Sequence, residues 1–572
     1  MVPSPRKGWG LVALSMVLAT GNGQNDDGPK NIPSVKNFLR RSGGTAAIIG
    51  DYVYYDGGEL SQVPFSTPTY KQFAMNATIS IDLSRSWDPS TLEMTEITKP
   101  PTPLNRQAML VDSSNDAFYI WGGAIPGGSR LVDPALWKFT ADGSGGGSWS
   151  DETSKLSNRP VFEQLDRVQG PASVSTSKRG YIFGGLSDRD TSPEPKSRIV
   201  GHVALDFEDQ TWTQNSTAPY SSTGSFFGGS ALHVPEYGKE GIIVLLGGTY
   251  DGSSKYNDFV TINILDVETG QWHKQETSGP GGWPSDRALH CATGVAGNGT
   301  YEIFLYGGEI RNSRRSYSDM YVLSLPGFEW TRLAPSRSPP ARRDHMCLTV
   351  GKRQMLSLGG LNTADGPGGS MWLEKDPFPQ GVGIFDMATL QWTDGYDAGA
   401  SAYETHESIR KFYDDGGMSR VNWNSSEVET LFATQASSTP PSGGGGEDSS
   451  AGDGDSTSAS SGPPVGAIAG GVVGGVVGLA LVGGLVWFLL RKKRKQGAMK
   501  GSPATDVTYA STGTEGYYPQ QKTYANPDAY KYQQHGGELD GHSPRPEMQG
   551  ESGRYEVPSD TAPVEMPDTS RR

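Results

Sequence analysis

The chain has 572 residues, which leaves room for one large repeat domain with appendages at either end. Its 49 Lys and Arg stand against 63 Asp and Glu, a net charge of −14, and that balance argues against a nucleic-acid partner. Two cysteines allow one disulfide at most, and no zinc motif accompanies them.

At the N-terminus, Arg6 and Lys7 precede an apolar stretch over 9–19 that ends in Val17-Leu18-Ala19. A short basic region, an apolar segment and small residues at the end read as a secretory signal peptide, residues 1–19. A linker, 20–32, follows.

From residue 33 the chain is repetitive. Six short apolar runs end in a glycine doublet: Gly57-Gly58, Gly122-Gly123, Gly184-Gly185, Gly247-Gly248, Gly307-Gly308 and Gly359-Gly360. The step is roughly 50–65 residues, the period of stacked supersecondary units. Before each doublet lies another apolar strand, such as Ala46-Ala47-Ile48-Ile49 or Cys347-Leu348-Thr349-Val350. After it comes an alternating strand, for example Ile79-Ser80-Ile81-Asp82-Leu83 or Met320-Tyr321-Val322-Leu323, and then a tryptophan: Trp87, Trp149, Trp212, Trp272, Trp330 or Trp392. Period-two alternation marks half-buried strands. An indole is large enough to fill the gap between neighbouring sheets. Four strands per unit, six times over, predict an all-β chain with a β-propeller across 33–435. A seventh blade remains open if residues 403–432 pair with the N-terminus, although Ser426-Glu427-Val428-Glu429-Thr430-Leu431-Phe432 reads as a closing helix.

These repeats resemble the kelch family in the apolar run before Gly-Gly, the later aromatic strand and the Trp. The resemblance implies a propeller and leaves function to the site. One kelch-type propeller family contains copper-radical galactose oxidases, which need a Cys cross-linked to Tyr, a second Tyr and two His. Here Cys291 and Cys347 have no Tyr-rich or His-rich cluster beside them, so the chain is expected not to be an enzyme, and to need no metal or cofactor. The acidic-acidic-His pattern of plant-type specifier kelch proteins is met by Asp286 and His290 but broken at Gly282.

Cys291 and Cys347 fall on the first strands of blades five and six, so one disulfide is open to them. Cys291 follows His290 directly, whereas Cys347 is two places after His345. If the histidines are equivalent, the thiols point to opposite faces. Buried free thiols are therefore the expectation. Arg287…His290 and Arg342…His345 form an Arg-x-x-His pair of motifs, with Arg106 at a similar place in blade two. They are expected to tie blades together rather than to bind an anion.

Recognition is expected on the loops that leave the doublets, because loops on a rigid scaffold carry function. The candidate ligand residues are Tyr70, Arg311, Arg314, Arg315 and Trp372. The ligand class is an extracellular glycan or a protein, met by aromatic and basic side chains. Four Asn-x-Ser/Thr sequons, Asn76, Asn215, Asn298 and Asn424, lie within the propeller and are candidate glycosylation sites.

Residues 436–464 are rich in Ser, Thr, Gly, Pro, Asp and Glu and read as a disordered stalk. Residues 465–490 carry no charge and are long enough for a transmembrane helix, followed at once by Arg491-Lys492-Lys493-Arg494-Lys495. Basic residues stay on the cytoplasmic side, which gives a type I, single-pass plasma-membrane protein with its propeller outside. Gly466, Gly470, Gly474 and Gly478 form a smooth helix face suited to self-association. The Tyr-rich tail, 491–572, is expected to be disordered and open to cytoplasmic adaptors. The layout resembles fungal membrane-anchored kelch-repeat proteins. It implies a surface protein whose propeller binds a cell-wall glycan or a protein. A galactose-oxidase-like oxidoreductase and a purely structural wall anchor are the alternatives.

Overall fold

The computed structural model describes residues 28–434, apart from short stretches at 69–70, 127–133, 193–197, 251, 253–254, 311–314 and 367–369. The signal peptide, stalk, membrane span and tail expected from the sequence lie outside the described residues. Among the described residues no helix is long and apolar enough to cross a membrane.

Six antiparallel blades of four strands follow one another along the chain, with one short extra strand in blade 1. Blade 1 comprises Phe38–Ile49, Tyr52–Gln62, Ala77–Asp82 and Met94–Thr98, and blade 2 Ala108–Asp112, Ala117–Trp121, Trp137–Ala141 and Gly147–Asp151. Blade 3 comprises Ala172–Ser175, Arg179–Phe183, His202–Asp206 and Trp212–Asn215, and blade 4 Ser230–Val234, Ile242–Leu246, Thr261–Asp266 and Trp272–Glu276. Blade 5 is built from Cys291–Ala296, Tyr301–Tyr306, Met320–Leu325 and Glu329–Leu333, and blade 6 from Met346–Val350, Gln354–Leu358, Val382–Asp386 and Gln391–Thr393. The six first strands touch in a closed cycle and line the axis. Residues 403–432 form no blade, so the propeller has six.

The doublets have a structural cause. The second glycine of each donates its N–H to a carbonyl of the next blade: Gly58 to Leu104, Gly123 to Val168, Gly185 to Phe226, Gly248 to Arg287, Gly308 to Arg342 and Gly360 to Arg41, all at 2.7–2.9 Å. All twelve glycines have positive φ, which L side chains rarely adopt. A Cβ on Gly122 would stand 2.6 Å from the Val168 carbonyl oxygen. The sequence therefore marks each seam between blades, because only a bare backbone comes close enough there.

Two residues beyond each acceptor, a second set of bonds closes a ring. Arg106 N–H donates to Gly43, Gly170 to Arg106, Gly228 to Gly170, Leu289 to Gly228, Asp344 to Leu289 and Gly43 to Asp344, at 2.6–3.4 Å. All six residues are left-handed, with φ between 53° and 76°. Arg106, Leu289 and Asp344 hold this conformation despite their side chains, at a cost of order 1–2 kcal/mol each.

The tryptophans fill the seams as their size demands. Each reaches back to the preceding blade: Trp212 to Trp121 (5.8 Å between ring centroids), Trp272 to Phe183 (5.9 Å), Trp330 to Phe259 (5.7 Å) and Trp392 to Tyr306 (5.3 Å). Trp149 meets Lys99 of blade 1 at 5.7 Å, and Trp87 meets Tyr396, beyond blade 6, at 5.3 Å.

Beyond blade 6, residues 394–433 run as a strap over the face opposite the doublets. Tyr396 pairs with Trp87 of blade 1, Thr405 with Thr300 of blade 5, and Tyr413 with Ser324 and Gly327 of blade 5. The strap carries two helices, α1 (Glu407–Asp414) and α2 (Ser426–Ala433). Ser425 caps α2 through its hydroxyl, and Phe432 packs between Tyr237 of blade 4 and Phe328 of blade 5, each at 4.7 Å. The expected helix exists, but it closes no blade.

Candidate functional site: the channel and its mouth

The first strands enclose an axial cavity of about 580 Å³, lined by residues of all six blades, among them Thr45, Gln107, Ser173, Ser230, Thr293 and Leu348. Several lining hydroxyls serve the fold: Ser175 accepts from Val111 N–H (2.8 Å), and Thr293 bonds Thr349 (2.9 Å).

At the doublet end, the mouth is polar and of mixed charge. Arg106 of blade 2 reaches Asp344 of blade 6, its Nη2 donating to Oδ2 at 2.7 Å and its Nε to Oδ1 at 3.0 Å. Its Nη1 donates to Gln169 Oε1 at 3.3 Å, and Gln169 in turn donates to Asp188 at 2.6 Å. Glu59 accepts from Asn105 (2.8 Å), and Arg343 pairs with Glu309 (3.1 Å). The Asp344 carboxylate raises the Arg106 pKa, against the effect of burial. Burial pulls the Asp344 pKa upward, but Arg106 outweighs it and holds the group below its usual value. The Arg106 side chain stays 29 % exposed, and that of Asp344 8 %. The pair joins blades that are not neighbours and keeps a cation at the mouth. With Glu59, Asp188, Glu309 and Asp344 around Arg106 and Arg343, the mouth offers hydrogen-bonding groups of both kinds to a hydroxyl-rich or amide-bearing group.

The two Arg-x-x-His motifs are structural, but their arginine side chains bond within their own blades instead of tying neighbouring blades together. Arg287 and Arg342 are fully buried. Arg287 donates to the Gly307 carbonyl (3.0 Å) and pairs with Asp319; Arg342 donates to the Gly359 carbonyl and to Asp376 (2.9 Å). His290 is pushed down to about 3 by burial and then by Arg287, and His345 is lowered by burial first, then by Arg342 and His290. Neither offers charge to a ligand. Arg106 is not their equivalent: it occupies the ring position of Leu289 and Asp344, two residues later.

The loop candidates divide. Tyr70, Arg311 and Arg314 lie outside the described residues. Arg315 is exposed on the short hairpin Glu309–Ile310/Arg315–Ser316, its guanidinium 5.6 Å from the Tyr317 ring. Trp372 corrects the expectation of an exposed platform, for it is only 7 % exposed. Its loop folds across the seam between blades 6 and 1, where its carbonyl accepts from Ser61 Oγ (2.6 Å) and Asp376 N–H donates to Leu39 (2.9 Å). Asn76, Asn215, Asn298 and Asn424 are all exposed.

Cys291 and Cys347 form a disulfide across the seam of blades 5 and 6, with Cα atoms 5.4 Å apart. This overturns the expectation of free thiols. The two side chains do leave opposite faces of their own sheets, but in a ring the facing sides of successive blades are opposite ones. With each sulfur bonded to the other, neither is available for the Cys–Tyr cross-link of a copper-radical oxidase.

The match to a family model agrees with this architecture. The family model for the KLHDC2/KLHL20/DRC7 Kelch-repeats domain matches residues 43–301 and 233–410, more than half of the chain. A Kelch repeat-containing protein of Arthroderma benhamiae is 25 % identical over 434 residues, covering 67 % of this chain and 61 % of the relative. Kelch domain-containing protein 3 of Homo sapiens is 25 % identical over 233 residues, covering 39 % and 55 %, and acyl-CoA-binding domain-containing protein 4 of Arabidopsis thaliana is 24 % identical over 283, covering 49 % and 36 %. The chain thus spans about one third to three fifths of these relatives. A solved structure of YjhT aligns at a TM-score of 0.42 and 14 % identity over 64 % of this chain and 99 % of that one. The matched repeats, the seam-marking doublets and the six closed blades show that this chain belongs to the Kelch-repeat family.

Proposed function

We propose that this chain is a type I, single-pass surface protein whose propeller binds an extracellular glycan or protein on its doublet-side face, at the channel mouth. One observation carries the reading. The strap covers parts of the opposite face, whereas the doublet side presents unequal loops around a mouth where Arg106 remains partly exposed. The sequence candidates Tyr70, Arg311, Arg314 and Arg315 all fall in connections that follow a doublet. The membrane placement rests on the sequence features of 1–19 and 465–495.

The test is a glycan array and intact cell wall probed with secreted residues 24–435. Saturable binding of one glycan class is expected, weakened about tenfold or more by Arg106→Ala, the loss of one charge-assisted bond in a partly desolvated site. Binding unchanged by Arg106→Ala and by the joint Tyr70, Arg314 and Arg315 alanine variant would remove the site from this face. No glycan binding by folded protein would assign the face to a protein partner, to be identified by crosslinking on cells.

A further inference from the structure

The disulfide has a third neighbour. His345 Nε2 lies 3.1 Å from Cys291 Sγ, and the ligand atoms of Cys291, His345 and Cys347 all fall within 4.8 Å of one another. All three residues are buried, at 4 %, 4 % and 5 % exposure, and all three line the axial cavity. His345 Nδ1 is buried without a protein partner. The imidazole is held edge-on by Tyr306 at 5.0 Å, so it is fixed beside the sulfurs.

We propose that reduction converts this seam into a thiolate–imidazole site for a zinc-type cation. The ligands are Cys291 Sγ, Cys347 Sγ and His345 Nε2, and water from the axial cavity takes the fourth position. Two thiolates and one imidazole with an open place is a chemically sound zinc set. A dithiol supplies the reduction. Its two thiols pass two electrons and two protons to the Cys291–Cys347 bond, which breaks to two thiols while the dithiol closes to its own disulfide. On metal binding each cysteine gives up its proton to the buffer. The seam then exchanges a covalent staple between blades 5 and 6 for a coordinate one. His290 takes no part, because it faces blade 4, 5.8 Å from Phe259.

The test uses the full chain, reduced with dithiothreitol that is then removed anaerobically, and titrated with Co(II) as the spectroscopic probe. One equivalent is expected to give thiolate-to-cobalt charge-transfer absorption and the intense visible bands of a tetrahedral site, both abolished by Zn(II). The oxidised chain should give neither. Cys347→Ser should cut the charge-transfer intensity to about half or less, because one of the two thiolates is gone. His345→Ala should weaken affinity by at least about 10–100-fold, the loss seen for outer-shell partners alone. His290→Ala should leave the spectrum intact. The proposal fails if the reduced chain, folded by near-ultraviolet circular dichroism, shows no such band. It fails equally if the band survives in the Cys291→Ser/Cys347→Ser variant, or if reduction itself unfolds the propeller.

Discussion

Glu302 lies in the second strand of blade 5 with no exposure to solvent, and no cation is among its bonded partners. Ser324 Oγ donates to Oε1 at 3.1 Å, and the strap approaches from the other side through Thr405 at 3.5 Å. Burial pushes its pKa up from 4.5 to about 7, against hydrogen bonds from Thr300, Ser324, Tyr403 and Thr405. The folded state therefore holds a proton that the unfolded chain releases near 4.5. Stability falls as pH rises from that value and levels off above about 7. A shift of this size corresponds to about 3 kcal/mol. Glu302→Gln keeps an acceptor and removes the charge. The variant should match the native chain near pH 4 and exceed it by up to about 3 kcal/mol at pH 8, or roughly 3–4 °C in Tm for about 400 residues. Calorimetric melts from pH 4 to 8.5 read the difference directly. Hydrogen exchange should show strap residues 403–413 better protected in the variant at pH 8. A constant Tm offset between the two proteins across that range would refute the assignment of a buried, proton-holding carboxyl.

Asp376→Asn should cost about 3–5 kcal/mol, because it strips the counter-ion from buried Arg342 (2.9 Å) and weakens that of Arg40 (3.6 Å); a urea midpoint within experimental error of native would contradict this. Gly308→Ala should destabilise far more than Gly299→Ala in matched urea melts. Both glycines have positive φ, but a Cβ on Gly308 meets His290 at 2.9 Å and the Ala288 carbonyl at 3.0 Å, whereas Gly299 faces open space. Equal losses would mean that φ alone, at about 1–2 kcal/mol, governs the doublets. Phe432→Ala should cost about 3–5 kcal/mol and free α2 for proteolysis between 414 and 425; an uncut strap would show that helix is held by other contacts.

The fold was legible because the seams impose a backbone requirement that repeats. Each doublet stands where one blade hydrogen-bonds the next; a side chain on its first glycine would press on the next blade and one on its second would press on its own. The tryptophans were legible for the same reason, since each seam has one gap of indole size. Registration within the connecting loops was not legible. Arg106 looks like a partner of Arg287 and Arg342 when counted from its proline, but the connections into blades differ in length. Only the hydrogen-bonded ring shows that Arg106 shares its position with Leu289 and Asp344. The salt bridge across the mouth spans 238 residues of sequence and leaves no local pattern. Trp372 misleads in the other direction. An aromatic in a long polar loop reads as exposed until the loop is seen to fold across the ring closure, where Ser61 and Leu39 hold it.

The cysteines show how a sound local rule can give the wrong answer in a closed ring. Alternation along a strand does place Cys291 and Cys347 on opposite faces of their sheets. His290 and His345 are equivalent by the ring, so Cys291 corresponds to Met346, and Cys347 lies one step further. In a single sheet, opposite faces never meet. In a propeller the forward face of blade 5 packs on the backward face of blade 6, so opposite parity is the condition for contact. The same parity turns His345 toward blade 5, against Tyr306, and His290 toward blade 4, against Phe259. A sulfur-and-imidazole site therefore needs a cysteine at the first strand position of one blade and a histidine just before that position in the next. The seam of blades 4 and 5 has His290 but places Ser230 where the cysteine would stand. The seam of blades 5 and 6 has both, and adds Cys347 on the histidine's own face.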